Sequence, residues 1–367
     1  MMPRDTIPVT VLTGFLGSGK TTVLNHLLSR PELADTVVII NEFGEIGLDH
    51  LLVSRSSENL TLLNNGCLCC TVRGDLIETF TDLAARQARG DIGPYRRIVV
   101  ETTGLADPAP ILHTLMADPA VTARHRLEGV ITTVDAVNGE QTLDVHPEAL
   151  KQAAVADRLL LTKSDIASVA ASTAVRRKLG VLNGGTPVLD VVAGMIDPSE
   201  MFNVGLYDSR GKSADVRRWL NEESFRPGHR GHHPDADGAH QHHHDHDVNR
   251  HDQRIRAHCV TIDEPVSWSA FSYWLELMAA LRGEQMLRLK GIVSVADHPD
   301  RPIVVHGVQH VFHPPLQLEA WPSPDKRTRL VFITRDMPVE VIEKTLEKFG
   351  RVDRADRRPV IPAVGHA

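Results

Sequence analysis

Long hydrophobic runs are missing from this 367-residue chain: no stretch reaches the ~18 consecutive apolar residues of a membrane-spanning helix. Excess basic charge is missing as well. Forty Lys and Arg stand against 47 Asp and Glu, and a net charge of −7 argues against a general nucleic-acid binder. Cysteine is scarce, with four residues, three of them packed into positions 67, 69 and 70. That is not the spread framework of a small disulfide-stapled secreted domain. The opening Met1-Met2-Pro3-Arg4-Asp5 leads straight into a β-type run without a signal-peptide pattern, so a cytoplasmic location with reduced thiols is expected. With 42% hydrophobic and 24% charged residues there is material for an ordinary core, and the length predicts roughly two domains.

From Thr6 to about Val192, short apolar β-branched runs alternate with helical patterns. Examples are Val9–Thr13, Val37–Ile40, Leu60–Leu63, Ile98–Val100, Val130–Val134, Leu159–Leu161 and Val188–Val192. Near-continuous apolar strands separated by helices predict a doubly wound, mostly parallel α/β sheet with ligands at the carboxyl ends of its strands. The pattern weakens after Pro198. Between His229 and His251 nine of 23 residues are histidine, too polar a composition to build a core, so residues 199–256 read as a linker or insert. Order resumes near Ala257. The strand runs His258–Ile262, Leu287–Val295, Ile303–Val308, Gln309–Phe312 and Arg329–Thr334, with helices Trp268–Leu281 and Pro338–Lys348, predict a smaller α+β domain. The expected division is 1–198, 199–256 and 257–367.

Gly14-Phe15-Leu16-Gly17-Ser18-Gly19-Lys20-Thr21 fits the phosphate-loop pattern at every fixed position, between a strand and a helix. Its backbone N–H groups turn towards phosphate oxygens, and the helix N-terminus adds favourable partial charge. Lys20 is expected to reach the β- and γ-phosphates, and the Thr21 hydroxyl to bind Mg²⁺. A second strand, Ile98–Val100, ends in Glu101 with Gly104 three residues on. In that geometry Glu101 holds Mg²⁺ or its waters, and Gly104 lets the backbone approach the γ-phosphate. A third, Leu159–Leu161, runs into Thr162-Lys163-Ser164-Asp165, close to the guanine-reading N-K-x-D pattern with Thr for Asn. A carboxylate at Asp165 accepts from the guanine N–H groups, and the stem of Lys163 lies over the base. This favours GTP over ATP. Asp165 equally fits a helix N-cap before Ile166–Lys178.

Asn64-Asn65-Gly66-Cys67-Leu68-Cys69-Cys70 follows a strand of the same sheet. Three thiolates supply three of the four tetrahedral positions that Zn²⁺ prefers, and Co²⁺ fits the same set. The open position suits delivery to a receiving protein. The alternative is redox chemistry at the C-x-x-C pair Cys67 and Cys70. Cys259 stands alone in a strand pattern and reads as core. Glu42-Phe43-Gly44-Glu45 suits a switch segment ordered by γ-phosphate and Mg²⁺, in which Glu45 or Glu42 also reaches the metal; a solvated acidic turn explains it equally well. Lys20, Glu101 and Glu42 are the candidate catalytic residues. The histidine-rich segment either buffers metal through neutral imidazoles or serves only as a linker.

These elements together resemble the CobW-like family of metal-handling P-loop GTPases. The resemblance rests on Gly14–Thr22, Asn41–Glu45, Gly66–Cys70, Glu101–Pro108 and Thr162–Asp165, and on Leu287–Gly291 and His306–Gln309 near the C-terminus. It implies a GTP-hydrolysing metallochaperone or metalloprotein activator, with Cys67, Cys69 and Cys70 as metal ligands and Gly17, Ser18, Gly19, Lys20, Thr21 and Thr22 at the phosphates. It also implies a client metalloprotein, and hydrolysis stimulated in trans, because no evident arginine finger stands in the chain. A metal sensor or store, a cobalt or iron insertion factor, and a small-molecule kinase are the competing readings.

Overall fold

Strands buried on both faces must be apolar throughout, and the β-branched runs behave accordingly: Ile98, Val99 and Val100 are all buried. The computed structural model describes residues 6–41, 60–62, 72–202 and 254–352. Within them the first half of the chain is a seven-stranded sheet in the order β3-β2-β4-β1-β5-β6-β7. Its strands are β1 (Ile7–Gly14), β2 (Thr36–Asn41), β3 (Leu60–Leu62), β4 (Arg97–Thr102), β5 (His125–Asp135), β6 (Arg158–Thr162) and β7 (Val188–Val191). Every neighbouring pair is parallel. The helices α1 (Lys20–Leu28), α2 (Val72–Arg89), α3 (Ala109–Ala117), α4 (Pro119–Thr122), α5 (Gly139–Val145), α6 (Pro147–Ala154), α7 (Val169–Asn183) and α8 (Pro198–Met201) connect them. The chain builds β2 to β4 on one side of β1 and β5 to β7 on the other, so the switch point of the sheet falls at the end of β1.

The second half is an antiparallel sheet in the order β11-β10-β9-β13-β8, with β12 paired to β10. Its elements are β8 (Ile255–Ile262), α9 (Trp268–Arg282), β9 (Met286–Val293), β10 (Ile303–Val308), β11 (Val311–Phe312), β12 (Leu316–Gln317), β13 (Thr328–Arg335) and α10 (Val339–Val352). One face packs on Phe271, Trp274 and Met278 of α9 and on Ile342 and Leu346 of α10. The other meets the first sheet's helices. Val308 and Val311 join the cluster of Ile111, Leu112 and Leu115 from α3, and Leu287 and Ile333 join Ala153 of α6 and Leu179 of α7.

A buried charge cluster sits in this junction. Asp157 accepts from the Val130 N–H at 2.9 Å, pairs with the Arg288 guanidinium, and lies 3.0 Å from Lys290 Nζ. Burial alone would raise the Asp157 carboxyl; Arg288 and then Lys290 outweigh that and hold it far below the usual carboxylate range. Beside it, His306 and His313 stack with ring centroids 4.9 Å apart.

Two expectations are corrected. The helix after Asp165 begins at Val169 rather than Ile166, because Ser168 is its cap, accepting from the Ala171 N–H at 3.1 Å. Residues 164–166 form a turn closed by Ile166 N–H on Lys163 O at 3.2 Å, so Asp165 caps nothing. The strand expected over Gln309–Phe312 shortens to Val311–Phe312, since Gln309 takes the left-handed φ of 53° and starts the turn.

Candidate nucleotide site

At the carboxyl end of β1 the chain turns sharply. Gly14, Gly17 and Gly19 have φ of 143°, 68° and 93°, and Gly19 is the left-handed residue that starts α1. Lys20 is buried and donates to Gly14 O at 2.9 Å and Phe15 O at 3.2 Å, so its ammonium is threaded inside the loop. Ser18 Oγ contacts Thr133 Oγ1 at 2.6 Å, tying the loop to β5. Thr162 does the same from β6: its hydroxyl donates to Ser18 O at 2.7 Å. The Thr in place of the usual Asn therefore braces the phosphate loop.

Glu101 is buried at the end of β4 and accepts from the Thr21 hydroxyl at 3.3 Å. Thr102 Oγ1 donates to Thr13 Oγ1 at 2.7 Å, holding the ends of β4 and β1 together. Gly104 lies directly against the loop. A Cβ there would meet the Leu16 backbone N at 2.6 Å, so only glycine permits the approach. Lys163 takes the left-handed φ of 58°, and its ammonium lies 2.7 Å from Asp135 Oδ2. Asp135 also accepts from the Val137 N–H at 2.7 Å and from Asn138 Nδ2 at 3.2 Å. Burial alone would raise its carboxyl, but Lys163 and these N–H donors outweigh burial and lower it. Asp165 is exposed, two residues beyond Lys163. A cavity of about 180 Å³ opens here, lined by Phe15, Ser18, Thr133, Asp135, Gln152 and Lys163.

Residues 8–190 match the family described as CobW/HypB/UreG, nucleotide-binding domain, and residues 255–350 match the cobalamin synthesis protein cobW C-terminal domain. The chain belongs to the CobW family. It is 32% identical to the zinc chaperone YjiA of Escherichia coli (strain K12), over 92% of this chain and 96% of that protein. It is 28% identical to the zinc chaperone CobW of Sinorhizobium sp, over 89% and 92% respectively. The crystal structure of Zn(II)-bound YjiA GTPase from E. coli superposes with a TM-score of 0.67 at 28% identity, covering 94% of this chain and 99% of that one. This CobW-family chain is a P-loop GTPase.

The donor set at the end of β4 suits Mg²⁺: a hydroxyl and a carboxylate 3.3 Å apart, both hard oxygen ligands. Cys67, Cys69, Cys70, Glu42 and Glu45 lie outside the described residues. The elements that bracket them are described: β2 and β3 end at Asn41 and Leu62, on the sheet edge that carries Glu101, and α2 starts at Val72. Among the described residues no group of three or more His, Cys, Asp or Glu stands ready to hold a metal. Nor is any helix there long and apolar enough to cross a membrane. Cys259 packs against the cluster of Ile292, Val304 and Val331.

Asp135 is the main site residue that sequence reasoning missed. The signal was available, because Thr132-Thr133-Val134-Asp135 is a buried strand ending in a carboxylate, as Glu101 is. Just beyond β7, Ala193 takes a left-handed φ of 50°. It begins a left-handed pair with Gly194, whose Cα packs over the Thr22 carbonyl, and such strain concentrates at ligand loops.

Proposed function

We propose that this GTPase is a metallochaperone that binds Zn²⁺ at Cys67, Cys69 and Cys70 and passes it to a client metalloprotein in a nucleotide-dependent way. The observation that carries the reading is positional. The chain segments bearing Glu42–Glu45 and Cys67–Cys70 leave the sheet at the ends of β2 and β3, on the edge where Glu101 meets the phosphate loop. Two zinc chaperones of similar length and sequence support it.

In this mechanism backbone N–H groups of Gly17–Thr22 surround the phosphates and Lys20 neutralises the β- and γ-oxygens. Thr21 and Glu101 would hold Mg²⁺, which would supply positive charge against the phosphates. Asp135 fixes the Lys163 ammonium so that its stem faces the base, and Asp165 accepts from the guanine edge. Glu42 is assigned a catalytic role and Glu45 a further place among the metal ligands, both on sequence position alone. GTP binding would order the Glu42–Glu45 and Glu101–Gly104 segments and strengthen metal binding by the three thiolates, and hydrolysis would weaken it. Co²⁺ fits the same thiolates, and the receiving protein supplies the fourth ligand in the cytoplasm.

Linkage requires GTP and zinc to tighten each other's binding by one factor. Competitive zinc titration of the full chain, with a non-hydrolysable GTP analogue and with GDP, measures that factor in the wild type and in Cys67→Ser. Tighter zinc binding with the analogue, lost in the variant, is expected. Equal affinity in both nucleotide states overturns the reading. The base assignment is read separately by competing GTP, ITP and ATP. ITP lacks the exocyclic amine, so Asp165→Ala is expected to abolish the preference of GTP over ITP.

A further inference from the structure

Gln152 is an odd residue to find where it is. It lies on α6 with no exposed surface, and an aliphatic side chain would fill the space without burying an amide. Its Nε2 donates to Gly104 O at 3.1 Å and to Ala106 O at 3.0 Å. Both carbonyls belong to the loop between Glu101 and α3. The neighbouring Lys151 holds the same loop by its next residue, with Nζ 2.6 Å from Asp107 Oδ2. The loop thus has three attachments in sequence: Gly104 against the phosphate loop, two carbonyls on Gln152, and Asp107 on Lys151.

The helix that supplies two of these attachments is itself anchored. Thr132 Oγ1 donates to Gln152 O at 2.8 Å, and the Arg288 guanidinium of the second sheet donates to Val155 O, just beyond the end of α6. Two buried polar atoms at this joint, Thr103 Oγ1 and Gln152 Oε1, have no partner among the described residues. An unmet buried group costs about 1–3 kcal/mol. Unused hydrogen-bonding capacity is therefore present both in the loop whose position must answer to the γ-phosphate and in the side chain that holds it.

We propose that Gln152 is a positioning residue for GTP hydrolysis: from the anchored α6 it holds the Gly104–Ala106 backbone over the phosphate loop, where the γ-phosphate lies. The helix acts on the reaction only through that backbone, and GDP, which has no γ-phosphate, is insensitive to it. The test uses the full-length chain and reads kcat, KM and GDP affinity in Gln152→Met and Gln152→Glu. The first keeps the volume without the donors. The second sets a carboxylate against two carbonyls.

A fall in kcat of about tenfold or more is expected in both, larger in Gln152→Glu, with GDP affinity within about twofold of wild type. A kcat near wild type in Gln152→Met overturns the proposal and leaves Gln152 as buried filler. Equal losses of GTP turnover and GDP affinity overturn it too, because that is the pattern of a general structural role. Should both variants fail to fold, Lys151→Met, which removes only the ammonium on Asp107, carries the test: kcat is expected to fall several-fold at unchanged GDP affinity, and no change refutes the proposal.

Discussion

Replacing Gly104 by alanine tests how closely the loop after β4 must meet the phosphate loop. A Cβ at this position would lie 2.6 Å from Leu16 N, 2.6 Å from Leu16 Cδ2 and 2.8 Å from Leu16 Cα. The side-chain carbon can rotate away, but the backbone atoms cannot. Restoring an ordinary 3.4 Å separation from 2.6 Å requires a displacement of 0.8 Å by the Gly104 loop, the phosphate loop, or both. A misplacement of about 1 Å in a reacting geometry costs on the order of 10²-fold in rate, equivalent to about 2.7 kcal/mol of barrier. Gly104 is buried, but the residue it would clash with, Leu16, and its own neighbour Leu105 are solvent-facing, so the displacement is taken up largely in exposed loop. Single-turnover GTP hydrolysis by Gly104→Ala is therefore expected to slow by about 100-fold, with GDP binding and the thermal midpoint close to wild type. Hydrolysis within about threefold of wild type would refute the reasoning. It would mean that the close approach of Gly104 to Leu16 is not the reactive arrangement.

Other outcomes follow from the same geometry. Asp157→Asn removes the carboxylate from the buried Arg288 guanidinium and from the partly buried Lys290, and is expected to destabilise the chain by about 3–5 kcal/mol in denaturant unfolding; a loss below about 1 kcal/mol contradicts the buried-cluster account. Burial holds His306 well below its ordinary range and pushes His313 down to about 4; the facing Arg288 lowers both further, as Lys290 does for His306, and only Asp157 opposes the shift. Between about pH 6.5 and 4 the unfolded chain then binds more protons than the folded one, so stability falls as pH drops through that window. Unfolding midpoints from pH 7 to 5 should show the slope, and His306→Phe with His313→Phe should reduce it; an unchanged slope speaks against buried neutral imidazoles. Thr162→Val removes the bond to Ser18 O, and GDP affinity measured by fluorescent-nucleotide displacement is expected to weaken by about tenfold. Unaltered affinity would deny Thr162 its bracing role.

The parts of this protein readable from its linear order are those whose chemistry demands a local spacing. A phosphate loop needs its glycines, Lys20 and Thr21 within eight residues, between a strand and a helix, because one turn of backbone must face the phosphates. Glu101 and Asp165 follow buried strands for a similar reason, since a parallel sheet presents its ligand groups at the carboxyl ends. The parallel sheet itself was legible in the β-branched runs that become β1 to β7. Asp165 was ambiguous, as a strand-end carboxylate followed by a helical pattern fits both a base reader and a cap; the turn through Ile166 and the Ser168 cap remove only the second reading. The partners that support the site have no local spacing at all. Lys163 finds Asp135 across 28 residues, Gln152 finds Gly104 across 48, and Arg288 finds Asp157 across 131. Asp135, Gln152, Asp157 and Arg288, each taken alone, read as ordinary surface polar groups. Only the crossovers that bring β5, β6 and α6 around the phosphate loop, and the apolar faces that seat the second sheet on α3, α6 and α7, turn them into buried, mutually dependent contacts.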